Sequence, residues 1–296
     1  MAKSIPTDVK NLRYAIVLTL ISLVIFGVQD IAVKALVADY SPLQLVMIRF
    51  WGIGVFMLFW ILRSSNFRAT IRSHFPVLQI LRSVFLLLDI WFFTAALGYM
   101  QTSDLQALFM LYPIAVSLLA VLLLGEKMGV YRWFAVCMGF VGAMIVVRPG
   151  FQHVDSSIWL VVGAVVTFAF YTVLTRKVAT RDSTKTSMLY LTIVAILLST
   201  AAGIFELEAM SLKAWAAMFL VTVCAISTHL LFTEALKYAP ASTLQPLNFL
   251  ALPIAVLLTY LFFNHVTDVI TLCGGAITVV AGLMVWFRET RQAQPK

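Results

Sequence analysis

Ten long apolar stretches constrain this chain more than any other feature. A helix needs about 20 mostly apolar residues to cross a bilayer, and the backbone in lipid must satisfy its own hydrogen bonds. Stretches of this length therefore predict an all-α membrane protein with ten transmembrane helices. The predicted spans are Tyr14–Lys34, Leu43–Leu62, Pro76–Leu97, Thr102–Leu124, Val130–Val147, Ile158–Arg176, Ser187–Phe205, Ala214–Leu236, Ser242–Phe263 and Val269–Phe287.

Composition supports lipid as the preferred solvent. Of the 296 residues, 62% are hydrophobic and 11% are charged, against roughly 25% charged in soluble domains. The cysteines Cys137, Cys224 and Cys273 fall inside apolar stretches without the spacing of a disulfide or metal framework. The first apolar stretch lacks a convincing small-residue cleavage site, so we interpret it as a retained span. We expect no cofactor, no metal and no nucleic-acid partner.

The distribution of lysine and arginine predicts how the chain is oriented. With the N-terminus in the cytoplasm, sixteen of the 21 Lys and Arg residues fall in cytoplasmic segments, and Lys34, Arg148 and Lys213 fall on the opposite side. Positive charge concentrates on the cytoplasmic side of membrane proteins. We therefore expect a multi-pass protein of the cytoplasmic (inner) membrane with both termini in the cytoplasm.

The chain contains an internal repeat. The stretch Ala96–Gly125 has a near copy at Ala235–Phe263, and Pro113 and Pro253 occupy corresponding places in the two. Five spans in each half is an odd number, so the second half must enter the membrane from the opposite side. The sequence thus predicts two inverted five-helix repeats, residues 1–150 and 151–296, with a bend at each proline.

Three segments carry a resemblance to a known family. The closing part of the first half, Leu122–Gly150, resembles the EamA-type repeat of the drug/metabolite transporter superfamily, as do Phe26–Leu36 and His229–Pro246. The resemblance implies a ten-helix fold, a central cavity lined by both halves, and transport of amino-acid-, nucleotide- or vitamin-like molecules. Asn264 and His265 stand where the family pattern has a Gly-Glu pair.

Charged residues within the predicted spans indicate a functional layer. At about 1.5 Å per residue, Asp30 and Asp89 lie about 24 and 20 Å from the inner boundary, and Arg49 lies about 9 Å from the outer one. These three fall in one layer, where Arg49 can pair with either carboxylate. Arg82 lies deeper on the same helical face as Asp89. The cluster either clamps substrate and gates the outer mouth or fixes helix registry without touching substrate.

Uncharged polar residues are the next candidates. His229 lies within a span, where it could relay protons or serve as a hydrogen-bonded packing residue. Gln106, Gln245 and Asn248 lie near the starts of the two proline-containing spans. Their amides could face the cavity or bond backbone groups freed by Pro246.

Aromatic residues accompany the charges. Phe85 and Phe93 lie one turn either side of Asp89, and Tyr171 lies on the span of the second half that corresponds to the first span. Rings beside a few charges would suit an amphipathic ligand, although phenylalanine also fills membrane interiors.

These features predict a secondary transporter that works by alternating access. Nucleotide-binding, zinc-protease and serine-hydrolase motifs are missing, so we do not expect an enzyme. The alternative is a passive channel or facilitator for a small solute. The sequence leaves open the substrate, the direction of transport, coupling to a proton or another ion, and association as a homodimer.

Overall fold

The chain is helical throughout its described part. The computed structural model describes residues 9–63, 70–99, 105, 109, 111–125, 128–147, 158–263 and 269–292. Within these ranges there are eleven α-helices and no strand, which confirms the all-α prediction. The helices are α1 Val9–Val37, α2 Pro42–Leu62, α3 Pro76–Ala96, α4 Tyr112–Leu124, α5 Val130–Val147, α6 Ile158–Val178, α7 Thr184–Gly203, α8 Leu212–Tyr238, α9 Ala241–Asn248, α10 Ala251–Phe263 and α11 Val269–Gln292, and a short 3₁₀-helix, Ile204–Glu206, follows α7.

Six helices are long and apolar enough to cross a bilayer by length and composition: α1, α2, α3, α6, α7 and α8. Large apolar side chains lie on the outside of the bundle, such as Val55, Leu122 and Phe219, which are 72%, 75% and 72% exposed. An exterior of this kind is unfavourable in water and expected in lipid. The protein is therefore a multi-pass membrane protein.

Serine residues fix the beginnings of three long helices. The hydroxyls of Ser41, Ser183 and Ser211 accept hydrogen bonds from the amides of Leu43, Thr186 and Ala214, at 3.2, 3.0 and 3.2 Å. Each bond satisfies an amide that has no partner within its helix. Ser41 and Ser183 begin α2 and α7, the second helix of each predicted repeat, so the two repeats start this element in the same way.

The two prolines of the repeated segment lie at matching points, in the first turns of α4 and α10. Proline has no N–H, so Pro253 cannot donate the hydrogen bond that the Phe249 carbonyl would normally accept in a helix. The Phe249 carbonyl instead accepts from the amide of Leu252 at 3.3 Å, which makes a tighter turn. Pro113 is the second residue of α4, and Pro253 is the third residue of α10; both helices are 13 residues long.

Helix packing follows a symmetric pattern. The four most extensive contacts join α1 to α8, α3 to α6, α5 to α11 and α2 to α7. Exchanging each helix of the first half for its counterpart in the second half leaves this set of pairs unchanged. Every pair joins one half to the other, so neither half packs as a separate body.

A polar network closes the end of the bundle where α2 ends and α3 begins. Asp182, in the α6–α7 loop, has a fully buried side chain. It accepts hydrogen bonds from the Ser73 hydroxyl, from the His74 amide at 2.8 Å and from Gln79 Nε2 at 2.9 Å. The carboxylate thus fastens the start of α3 to a loop of the other half.

Arg82 extends this network into the bundle. Its fully buried guanidinium donates to Gln79 Oε1, Thr175 Oγ1 and the Ser187 carbonyl at 2.8, 2.8 and 2.7 Å. These bonds tie α3 to both α6 and α7. We call Ser73, His74, Gln79, Arg82, Asp182 and Ser187 the Asp182 network.

A second network lies at the opposite end of α2. The side-chain Nε2 of Gln44 donates to the Glu208 backbone carbonyl at 2.7 Å, and its Oε1 accepts from the Glu208 backbone amide at 3.2 Å. The Ser41 hydroxyl donates to the Glu206 carboxylate, and the Ser211 amide donates to the Tyr40 hydroxyl at 3.2 Å. This Gln44 network (Tyr40, Ser41, Gln44, Glu206, Glu208 and Ser211) joins the α1–α2 turn to the loop before α8.

A contact between α5 and the turn that follows α9 yields a stability prediction. A Cβ added at Gly139 would lie 2.4 Å from the Phe249 ring, so Gly139→Ala must push the helices apart. We expect a loss of about 1–3 kcal/mol of stability, seen as a lower melting temperature of the purified protein in detergent. Gly129→Ala is the control, because a Cβ there meets nothing within 4 Å. Equal melting temperatures for the two variants would contradict this packing.

The Asp182 network predicts a pH dependence. Burial alone would raise the pKa of Asp182, but hydrogen bonds from Ser73, His74 and Gln79 outweigh it and hold the pKa below the ordinary 3.8. A depressed pKa stabilises the fold at neutral pH, and this stabilisation is lost as pH falls below about 4. Asp182→Asn should cost about 1–3 kcal/mol at pH 7, and less near pH 3.

Thermal unfolding at the two pH values measures this difference. Asp39→Asn, which changes an exposed aspartate in the turn after α1, should leave the melting temperature close to the wild-type value at pH 7. If Asp182→Asn lowers the melting temperature equally at both pH values, the charged state of Asp182 does not stabilise the fold.

Candidate functional site

A cavity of about 110 Å³ lies between the two halves of the bundle. Both halves contribute to its wall: α1, α2, α3 and α4 from the first, and α6, α8, α9 and α10 from the second. Its polar and charged lining residues are Ser22, Gln29, Asp30, Arg49, Asp89, Thr94, Tyr112, Tyr171, Thr228, His229 and Asn248. The cavity is thus built where the symmetric helix pairs meet.

The three charges predicted to share one layer all line this cavity. Asp30 comes from α1, Arg49 from α2 and Asp89 from α3, and the charges of both aspartates act on Arg49. Arg49 and Asp89 are 7% and 6% exposed. Charges inside a membrane protein face the interior of the bundle and other polar groups because lipid solvates them poorly.

The Arg49 guanidinium contacts the imidazole of His229. Its Nη2 lies 3.4 Å from His229 Nε2, which joins α2 to α8. Among the described residues, Arg49 and Asp89 form no ion pair within 4.0 Å. The sequence predicted pairing of Arg49 with Asp30 or Asp89; for Asp89 the structure places the two groups in one cavity but not in contact.

Several buried polar atoms in the wall have no hydrogen-bond partner. These include Gln29 Oε1, Arg49 Nε and Asp89 Oδ1, on side chains that are 3%, 7% and 6% exposed. A buried polar atom without a partner costs about 1–3 kcal/mol, and more if the group is charged. A polar ligand in the cavity could satisfy all three.

Aromatic rings form the rest of the wall. Phe109 contacts Phe93 and Tyr112 with ring centroids 5.0 Å apart in each case, and Tyr112 meets Phe168 edge-on at 4.8 Å. Phe232 and Tyr171 continue the surface, with centroids 6.1 Å apart and planes inclined by 23°. We call Phe93, Phe109, Tyr112, Phe168, Tyr171 and Phe232 the ring cluster; it offers both ring faces and ring edges to a ligand.

Four predicted site residues lie outside the cavity lining. Arg82 belongs to the Asp182 network, and Phe85 stacks on Phe170 with centroids 5.0 Å apart. Pro113 and Pro253 lie in the first turns of α4 and α10 and do not line the cavity. Phe93, Tyr171, His229 and Asn248 do line it. Gln106 and the side chain of Gln245 fall outside the described residues.

Sequence reasoning missed Gln29, Phe109, Tyr112 and Phe232. Each had a local signal, because Gln29 adjoins Asp30, Tyr112 adjoins Pro113, and Phe232 lies one turn beyond Thr228 on the same helix face. Helix-face arithmetic from known site residues could have identified Phe232. Phe109 belongs to the repeated segment, but no periodic pattern in that segment marks it as a lining residue.

A second, smaller cavity of about 10 Å³ adjoins the first. Val33, Arg49 and Thr94 line both cavities, and the smaller one alone is lined by Leu36, Leu45, Val46, Met218 and Val221. These last residues lie toward the Gln44 network along α1, α2 and α8. Arg49 therefore stands between the main cavity and that end of the bundle.

The arrangement suits holding a ligand through charge, hydrogen bonds and ring contacts. Among the residues that the structure describes, no group of three His, Cys, Asp or Glu side chains is placed to hold a metal ion. The cavity of about 110 Å³ is smaller than the 300–1,000 Å³ typical of small-molecule sites, so a larger ligand requires the helices to move apart.

Comparison with known proteins gives the family context. The chain is 24% identical to the S-adenosylmethionine uptake transporter of Rickettsia bellii, with 94% of each chain covered. It is 28% identical to the riboflavin transporter of Rhizobium johnstonii, covering 82% of this chain and 81% of that one. The pseudopaline exporter CntI of Pseudomonas aeruginosa is 24% identical, with 91% and 95% covered.

A solved crystal structure shares the fold. It aligns with a TM-score of 0.79 at 17% identity and covers 93% of this chain and 97% of that chain. The profile of the EamA-like transporter family matches the chain twice, over residues 13–148 and again over 155–287. With both halves matched, this protein is a member of the EamA-like transporter family, and so a transporter rather than an enzyme.

Proposed function

We propose that the protein is a secondary carrier that moves a small polar or amphipathic metabolite through the central cavity by alternating access. The observation that carries the proposal is the cavity itself. It is walled by both halves and contains buried polar atoms, on Gln29, Arg49 and Asp89, that lack a partner. A purely structural cluster would be expected to satisfy such groups within the protein.

The proposed membrane arrangement has ten spans in two inverted five-helix repeats, residues 1–150 and 151–296. The double family match and the symmetric helix pairing support it. The bias of Lys and Arg supports a location in the cytoplasmic membrane with both termini in the cytoplasm. In this orientation the Asp182 network lies at the cytoplasmic end and the Gln44 network at the outer end.

Alternating access then means opening one network at a time. Each network joins the beginning of a helix in one half to a loop in the other half, so parting the halves at one end breaks one of them. Pro113 and Pro253 supply places for α4 and α10 to tilt, because neither proline can donate a backbone hydrogen bond. In this scheme Arg49 separates the cavity from the outer end.

The names of the relatives offer first substrates to test: S-adenosylmethionine, riboflavin and pseudopaline. The identities of 24–28% are too similar to favour one of these substrates over the others. The relatives' names include both uptake and export, so they do not indicate the direction of transport either. A comparison of metabolites in cells that lack or overexpress the protein would identify the transported compound. Transport of that compound into proteoliposomes then tests the mechanism.

The transport experiment has a defined expectation. Flux should saturate with concentration, and Arg49→Ala should reduce it at least about tenfold, since a lost charge-assisted contact is worth about 1.5–3 kcal/mol. Arg63→Ala is the matched control, because Arg63 is exposed at the end of α2 and away from the cavity; its flux should match the wild type. Unchanged flux in Arg49→Ala at equal protein content would contradict the role of Arg49. Flux that rises linearly with concentration would favour a channel.

A further inference from the structure

The end of the bundle that contains the Asp182 network also carries a basic surface, formed by Trp60, Arg72, Phe75, Arg181 and Lys185. We propose that this basic surface binds the headgroup of an anionic phospholipid. None of its residues lines the central cavity, so the binding is separate from the proposed transport. Its unbalanced charge, its ring contacts and the apolar exterior beside it lead to this ligand.

Nearby carboxylates do not balance the positive charge of the basic surface. Residues 61–75 contain three arginines and no Asp or Glu, and residues 176–190 contain four Lys or Arg and one acid, Asp182. Asp182 is buried within its own network, and Glu234 on α8 already pairs with Lys237 at 2.8 Å. In the described part of the chain, the three cations of the basic surface form no ion pair with a carboxylate. They therefore remain available to an anion from outside the protein.

Two of these cations lie against aromatic rings of neighbouring elements. Lys185 Nζ, at the start of α7, lies 5.2 Å from the centroid of the Trp60 ring near the end of α2. The guanidinium carbon of Arg181 lies 6.0 Å from the centroid of the Phe75 ring just before α3. Contact with a ring face favours one position of a long, flexible cation. Both cations also flank Asp182 in the chain, so the loop that carries them is fastened to the start of α3.

The basic surface borders the apolar exterior of the bundle. Leu62, the last residue of α2, is 75% exposed, and Val77, in the first turn of α3, is 66% exposed. Ile71, between the two helices, is 44% exposed. Side chains of this kind are expected to face acyl chains. A phospholipid can cover them with its chains while its phosphate meets the cations, whereas a soluble anion can do only the second.

The opposite end of the bundle has the reverse charge. The corresponding segments there, the turn between α1 and α2 and the segment between α7 and α8, carry three exposed acids, Asp39, Glu206 and Glu208. Because the helices pair symmetrically, the packing itself requires neither sign of charge in these segments. Positive charge on the cytoplasmic side also orients a membrane protein, but orientation does not require cations held against rings. Each Lys or Arg near anionic lipid strengthens the attraction about fivefold.

The lipid preference can be measured by native mass spectrometry of the purified protein. The protein would be titrated with phosphatidylglycerol or with phosphatidylcholine of identical acyl chains. Phosphatidylglycerol should bind at least about tenfold tighter, and Lys185→Gln should lower this preference about fivefold, because one of the cations is lost. Lys213→Gln is the matched control, because Lys213 is exposed at the opposite end of the bundle, and the preference should stay at the wild-type value.

Equal binding of the two lipids by the wild-type protein would contradict the proposal, as would an undiminished preference in Lys185→Gln. If Lys185→Gln does not fold, Arg72→Gln decides, because Arg72 is exposed and its loss should lower the preference by a similar factor. Inorganic phosphate should not displace phosphatidylglycerol at concentrations well above that of the lipid. Displacement at comparable concentrations would show a site for soluble anions instead. Lipid binding is measured without flux, so neither outcome decides the carrier function.

Discussion

The cost of placing a charge in a membrane governs this structure. Asp30, Arg49 and Asp89 sit on three different helices, and each would cost at least about 2.5–3.5 kcal/mol if it faced lipid at the bilayer centre. The helices can insert together because they turn these residues toward one shared cavity. The same requirement sets the rotation of α1, α2 and α3, and so decides which apolar faces remain for lipid.

The helices pack in a symmetric pattern, but the side chains that line the cavity are not symmetric. The helix pairs are unchanged when the halves are exchanged, and a serine begins the second helix of each half. The side chains that line the cavity do not follow this symmetry. Asp89 of α3 has Thr228 as its counterpart on α8, with His229 beside it. In the proposed mechanism, similar backbones let the cavity open at either end, while the unlike side chains distinguish one end of a ligand from the other.

The all-α membrane fold can be predicted from the sequence because it follows from the length and apolar character of the spans. Counting residues from the span ends also predicts that Asp30, Arg49 and Asp89 share one layer, and all three line the same cavity. The contacts of Arg82 could not be predicted from such local patterns. Its seven-residue spacing from Asp89 indicates a shared face, but its partners Thr175 and Ser187 lie 93 and 105 residues away in the chain. Gln44 likewise meets Glu208 across 164 residues, a contact that no periodicity encodes.

The central claim, that the cavity opens to each side in turn, can be tested with a single cysteine. Cys137, Cys224 and Cys273 would be replaced, and Ala255→Cys would place a thiol in the cavity wall. Its modification by a membrane-impermeant reagent would be timed from each face of oriented vesicles, with Ala135→Cys, buried in α5 away from the cavity, as the control. The account predicts reaction from both faces, with the transported metabolite shifting the two rates in opposite directions, and an unreactive control. Reaction from one face alone, or equal rates at both faces that the metabolite leaves unchanged, would contradict it.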